Sequence, residues 1–122
     1  MPQKVLIIDD SKPIHALVRA RLAEEPIELH SAFDGETGIA TALNLLPDLI
    51  LLDLHLPDIS GEDVLRRLRS DTRTATTMIV VLSADATNDQ PKRLLALGAS
   101  DYLTKPFDIP SILDLIDRLE PV

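Results

Sequence analysis

The chain has 122 residues, 45% of them hydrophobic and 26% charged, with 9 Pro and 4 Gly, the profile of one compact domain. Twenty Asp and Glu against 12 Lys and Arg give a formal charge of −8, so the surface repels phosphate polyanions and anionic lipid, which argues against direct binding of nucleic acid or membrane. Cys is absent, which excludes disulfides, thiol catalysis and thiolate metal sites and agrees with a reducing cytoplasm. The aromatics are Phe33, Tyr102 and Phe107, too few to build a stacking platform for bases or sugars.

In chain order, Val5-Leu6-Ile7-Ile8 is an apolar run without alternation, the pattern of a parallel strand covered on both faces. It is also too short for a signal-peptide core or a membrane span. Ser11 then stands as an N-cap with Pro13 two residues on, opening a helix whose apolar stripe is Ile14, Leu17, Val18 and Leu22. Ile27 to Ala32 alternates and is expected to be an edge strand. The second helix carries Ile39, Ala42, Leu43 and Leu46. Leu49 to Leu52 forms a second continuous apolar run, followed by a helix with Gly61, Val64, Leu65 and Leu68 behind a Ser60/Asp63 capping box. Met78 to Leu82 is the third such run. Thr87 with Gln90 resembles another capping box, Pro91, Leu94, Leu95 and Gly98 mark a fourth helix stopped at Gly98, and Asp101 to Thr104 is a short second edge strand. Asp108, again with a Pro two residues on, caps a last helix bearing Ile112, Leu115, Ile116 and Leu119.

Strict alternation of five strands and five helices implies an α/β fold with a doubly wound parallel sheet. With the three apolar strands central and right-handed crossovers, the economical strand order is 2-1-3-4-5, a flavodoxin-like three-layer sandwich. No linker or repeat divides residues 1–122, so they read as one domain. Met1 suggests an N-terminal position, while Glu120-Pro121-Val122 fits either a terminus or a junction to an effector domain.

Open parallel sheets bind ligands beyond the carboxyl ends of the strands, where the winding reverses. There the first strand ends in Asp9-Asp10, the third in Asp53, the fourth in Ser83-Ala84 and the fifth in Thr104-Lys105-Pro106. Three converging carboxylates repel one another unless a counter-charge is supplied, and one Lys cannot neutralise three. An all-oxygen set without His or Cys suits Mg²⁺, which keeps several waters. With a Lys and a hydroxyl nearby, the set forms a receptor for a phosphoryl group, and an Asp nucleophile then suffices to take it as an aspartyl phosphate.

These residues stand in the segments Val5 to Ser11, Asp48 to Asp53, Leu56-Pro57-Asp58-Ile59-Ser60-Gly61, Val81-Leu82-Ser83-Ala84 and Gly98 to Phe107. In that order and at those spacings the sequence resembles the receiver domains of two-component response regulators over essentially all 122 residues. The resemblance implies a phosphorylation-activated switch in a phosphorelay, regulatory rather than metabolic. It implies Asp53 as phospho-acceptor, taking phosphate from a phosphohistidine on a sensor histidine kinase or phosphotransfer protein. It also implies Mg²⁺ on Asp9, Asp10, Asp53 and the backbone carbonyl of His55, with Lys105 pairing with the phosphoryl oxygens across a cis Lys105-Pro106 bond. Ser83 matches the switch hydroxyl and Tyr102 the aromatic that follows it. The output face is then the fourth helix, fifth strand and fifth helix, offered to an effector domain or protein, or to a second copy on activation. His55 and Asp85 fall at positions that flank the path of the hydrolytic water.

Two other readings compete. A small Mg²⁺-dependent phosphatase or phosphotransferase of the haloacid dehalogenase kind also uses a strand-end Asp nucleophile, but normally carries a second Asp two residues later, where this chain has His55. A receiver-like interaction domain that never takes phosphate is the other, and retention of all five site groups argues against it. The three histidines, His15, His30 and His55, are scattered over a helix, an edge strand and a loop, which disfavours a histidine metal site.

Overall fold

The computed structural model describes residues 3–83, 90–104 and 109–118. Along them run β1 (Gln3–Ile8), α1 (Lys12–Arg21), β2 (Ile27–Ala32), α2 (Gly35–Leu45), β3 (Leu49–Asp53), α3 (Gly61–Ser70), β4 (Met78–Ser83), α4 (Gln90–Ala96), β5 (Asp101–Thr104) and α5 (Ile109–Asp117). The five strands form one sheet in the order β2-β1-β3-β4-β5. Every pairing is parallel. Expected class and strand order are both observed.

The apolar runs take the centre because only there is a strand covered on both faces. Val5 to Ile8 and Leu49 to Leu52 are all fully buried. Alternation then divides them between two cores. Leu6, Ile8, Ile50, Leu52, Ile79 and Val81 share a core with Ile39 and Ala42 of α2, Val64, Leu65 and Leu68 of α3, and Leu94 of α4. Val5, Ile7, Leu49, Leu51, Val80 and Leu82 share the other with Val18 of α1 and Ile112, Leu115 and Ile116 of α5. Each such side chain contributes about 1.5–3 kcal/mol when fully buried.

The helix starts follow the capping residues. Ser11 accepts from the Ile14 amide, Asp34 from Thr37 and Ser60 from Asp63. Beyond α4, Gly98 takes φ +110°, a conformation that disfavours any side chain. The caps expected at Thr87 and Asp108 lie outside the described residues.

Three leucines expected in core stripes are instead exposed: Leu17 at 41%, Leu46 at 51% and Leu95 at 49%. In α1 the buried face runs through His15, Val18 and Leu22, which leaves Leu17 off that line. The second helix stops one residue earlier than its stripe, and Leu46 becomes its left-handed cap at φ 53°, with its amide on the Ala42 carbonyl. Leu95 flanks Leu94, which is the fully buried leucine of α4.

At the amino edge of the sheet, Arg69 of α3 gathers the incoming loops. Its Nε donates to the Gly98 carbonyl at 2.7 Å, its Nη1 to the carbonyls of Thr74, Ala75 and Thr77, and its Nη2 to Ser100 Oγ. Ser100 Oγ in turn accepts from the Ile79 amide at 3.0 Å. One guanidinium thus joins the entries to β4 and β5 to the end of α3.

Candidate phosphoacceptor and metal site

The carboxyl edge is built by the same alternation that makes the cores. Val5 and Ile7 face the α1/α5 side, so Asp9, next in the period-two series, continues that face beyond β1, as Asp53 does after Leu49 and Leu51. The register pairs Ile7 with Leu51 and Ile8 with Leu52, which brings the two acids side by side. Asp9 is fully buried and Asp53 is 4% exposed, while Asp10 faces solvent. One carboxylate oxygen from each of Asp9, Asp10 and Asp53 lies within 4.8 Å of the others. Two of the three acids are thus withdrawn from water beside one another, an arrangement that favours a cation.

The turn carrying Asp9 is pinned from several sides. Its amide donates to the Ala32 carbonyl at 3.1 Å, and its Oδ1 accepts from the Ser11 amide at 2.8 Å. His15 reaches its backbone carbonyl through Nε2 at 2.6 Å. On the β3 side, the amide of Gly61 donates to the Leu54 carbonyl at 2.9 Å, seating the start of α3 under Asp53. A Cβ at Gly61 would run into the Asp53 carbonyl oxygen and lie 2.6 Å from Leu54 Cα, so the close approach of the two backbones requires glycine.

Asp58, in the loop leading to α3, holds the neighbouring helix. Its two carboxylate oxygens accept from the amides of Gly35 and Glu36 at 2.8 Å each. Those two bonds, Glu36 first, draw its pKa from 3.8 down to about 2. The same two helices are joined by a two-pronged Arg67–Glu36 pair, and Arg93 of α4 pairs with Glu62 of α3.

The other expected site residues fall as follows. His55 is exposed in the loop after β3. Ser83 ends β4, its backbone in register with Thr104. Tyr102 lies in β5 opposite Val81, half-buried against the core that contains Val81 and Leu94. Lys105, Pro106, Ala84 and Asp85 lie outside the described residues.

Two contributors escaped the sequence. His15 is a buried support of Asp9; the signal was its spacing, since positions 15, 18 and 22 form one helical face. Asp58 stood in the sequence only as part of the Leu56-to-Gly61 segment, and its cap on α2 crosses from one loop to another, which no local pattern reports.

The response regulator receiver domain model matches residues 5–117. Among curated proteins the chain is 43% identical over 116 residues to the DNA-binding dual master transcriptional regulator RpaA of Synechocystis, covering 95% of this chain and 48% of that relative. Among solved structures, the chemotaxis response regulator CheY4 of Vibrio cholerae superposes with a TM-score of 0.89 at 28% identity, covering 98% of this chain and all of that one. The receiver domain of the sensor histidine kinase PA1611 from Pseudomonas aeruginosa, solved with magnesium coordinated in its active-site cleft, gives 0.87 at 25%, over 98% of both chains. The chain belongs to the response regulator receiver domain family, the phosphorylation-activated switch of two-component signalling. That membership decides against the haloacid dehalogenase alternative. The chain spans about half the length of RpaA.

Proposed function

We propose that Asp53 is the phospho-acceptor of this receiver domain and that Asp9, Asp10, Asp53 and the His55 backbone carbonyl hold Mg²⁺. The observation that carries the reading is the convergence of the three carboxylates at the carboxyl edge of β1 and β3, two of them buried. The donor set fits the ion: oxygen only, with no nitrogen or sulfur ligand, and few enough groups to leave positions for water. Bound there, Mg²⁺ supplies charge compensation for an incoming phosphoryl group. The chain's own part is to aim the Asp53 oxygen at phosphorus, with the Lys105 ammonium offsetting charge on the phosphoryl oxygens.

The donor is a phosphohistidine of a sensor histidine kinase or phosphotransfer protein, and the domain promotes only its own phosphorylation and dephosphorylation. Ser83 and Tyr102 then act as the switch pair, since they stand on the neighbouring strands β4 and β5. The α4–β5–α5 face would report the state to an effector domain or protein, or to a second copy on activation. Residues 1–122 act as one domain in the cytoplasm. None of the described helices is long and apolar enough to cross a membrane. The charge of −8 disfavours direct contact with nucleic acid, so any DNA-directed output belongs to an attached or separate partner.

Acetyl phosphate with Mg²⁺ tests the assignment without a kinase. One alkali-labile phosphate should appear on wild type and none on Asp53→Asn. Undiminished labelling of Asp53→Asn would move the acceptor elsewhere.

A further inference from the structure

We propose that His15 is a positioning residue of this site, fixing the Asp9–Asp10 peptide so that Asp10 is aimed for Mg²⁺; the inference rests on the reading of the acid cluster given above. His15 is 5% exposed, and both ring nitrogens are engaged. The Asp9 carbonyl can only accept, so Nε2 carries the proton in the 2.6 Å contact. In the neutral ring Nδ1 is then the acceptor, and Ser31 Oγ donates to it across 3.0 Å. Ser31 Oγ itself accepts from Arg19 Nη2 at 3.2 Å. The bonds therefore run in one direction, Arg19 to Ser31 to His15 to the Asp9 carbonyl, and no donor faces a donor. Phe33 closes over the ring, with centroids 4.3 Å apart and planes at 43°.

The effect reaches the site through geometry. The carbonyl of Asp9 and the amide of Asp10 belong to one rigid peptide plane. Its amino side is held by the Asp9 amide on Ala32 and by the Ser11 amide on Asp9 Oδ1. The exposed Asp10 side chain has no burial to orient it, so the direction in which it leaves the backbone depends on that plane. Holding the carbonyl holds the plane. Partners of this kind behind metal ligands are worth roughly 10- to 100-fold in affinity, and a wet site with few protein ligands belongs at the lower end.

The test compares His15→Leu, which fills the space without a donor, with His15→Gln, whose amide can still donate to the Asp9 carbonyl. The whole 122-residue chain is titrated with Mg²⁺ by calorimetry, and acetyl phosphate labelling is followed as a function of Mg²⁺. His15→Leu should bind Mg²⁺ roughly 10-fold more weakly, with labelling restored at saturating Mg²⁺, and His15→Gln should recover near wild-type affinity. Both variants melting lower yet binding Mg²⁺ like wild type would reduce His15 to packing and overturn the inference. Should His15→Leu fail to fold, imidazole ¹⁵N correlations on wild type decide: an Nε2-protonated tautomer whose signals move on adding Mg²⁺ supports the role, and an Nδ1-protonated neutral ring overturns it. Wild-type protein that takes up neither Mg²⁺ nor phosphate would instead bring down the reading of the acid cluster, and this inference with it.

Discussion

The two edges of the sheet solve opposite electrostatic problems. At the amino edge, one cation meets a set of acceptors: Arg69 donates to the carbonyls of Thr74, Ala75, Thr77 and Gly98 and to Ser100 Oγ. At the carboxyl edge, three carboxylates of one sign are brought within 4.8 Å, two of them buried. The first arrangement closes within the protein and works as a structural joint. The second gathers like charges and is the cluster proposed above to hold a cation.

Removing Arg69 should have the largest effect on stability. Arg69→Ala leaves part-buried carbonyls without their donor and should cost about 2–3 kcal/mol in urea unfolding, while Mg²⁺ affinity stays near wild type. Arg69→Lys should recover little, because an ammonium cannot span acceptors on both loops. A loss of Mg²⁺ binding without loss of stability would erase the distinction between the edges.

Relieving the carboxyl edge should act the other way. Asp10→Asn removes one of the three like charges and should raise stability in Mg²⁺-free buffer by about 1 kcal/mol, after allowance for solvent around this exposed side chain. With Mg²⁺ held as proposed, wild type should melt higher when the ion is added, and the same variant should lose most of that rise. Destabilisation of the Mg²⁺-free protein would show that the acids are already balanced internally.

The smallest change concerns Asp58, which lies near the acid cluster in sequence yet behaves like the amino-edge joint. Its folded pKa of about 2 lies below the ordinary 3.8, so its stabilising bonds to Gly35 and Glu36 are fully present above pH 3.8. They are lost as pH falls through about 2. The stability gap between wild type and Asp58→Asn should therefore be constant near neutrality and shrink between pH 4 and 2. A gap that does not depend on pH would deny the carboxylate its capping role.

Most of the architecture was legible because it follows from periodicity and short-range chemistry. Unbroken apolar runs named the central strands, alternation named Ile27–Ala32 as an edge, and Ser11 and Ser60 marked helix starts that the structure retains. The acid cluster was legible too, since strand ends of one parallel sheet must share an edge. What escaped were long-range polar contacts. His15 under Asp9, Asp58 on α2 and Arg69 between two loops each depend on which loop lies beside which, and the residue types alone point to solvent. Leu46 was misplaced for a different reason: its spacing suited the stripe of α2, but the helix ended first.

The division of the core also bears on how the chain is made. Val5 and Ile7 of β1 share their core with Ile112 and Leu115 of α5, at the far end of the described sequence. Val18 and Leu22, made soon after β1, cover part of that face, but at a ribosomal rate of about 5–20 residues per second the share belonging to α5 waits on the order of 5 to 20 seconds. The other face of β1 is completed earlier in the chain, mainly by α2 and α3. A nascent chain therefore carries a sheet whose α1/α5 side is only partly covered, the period in which a holding chaperone would find it.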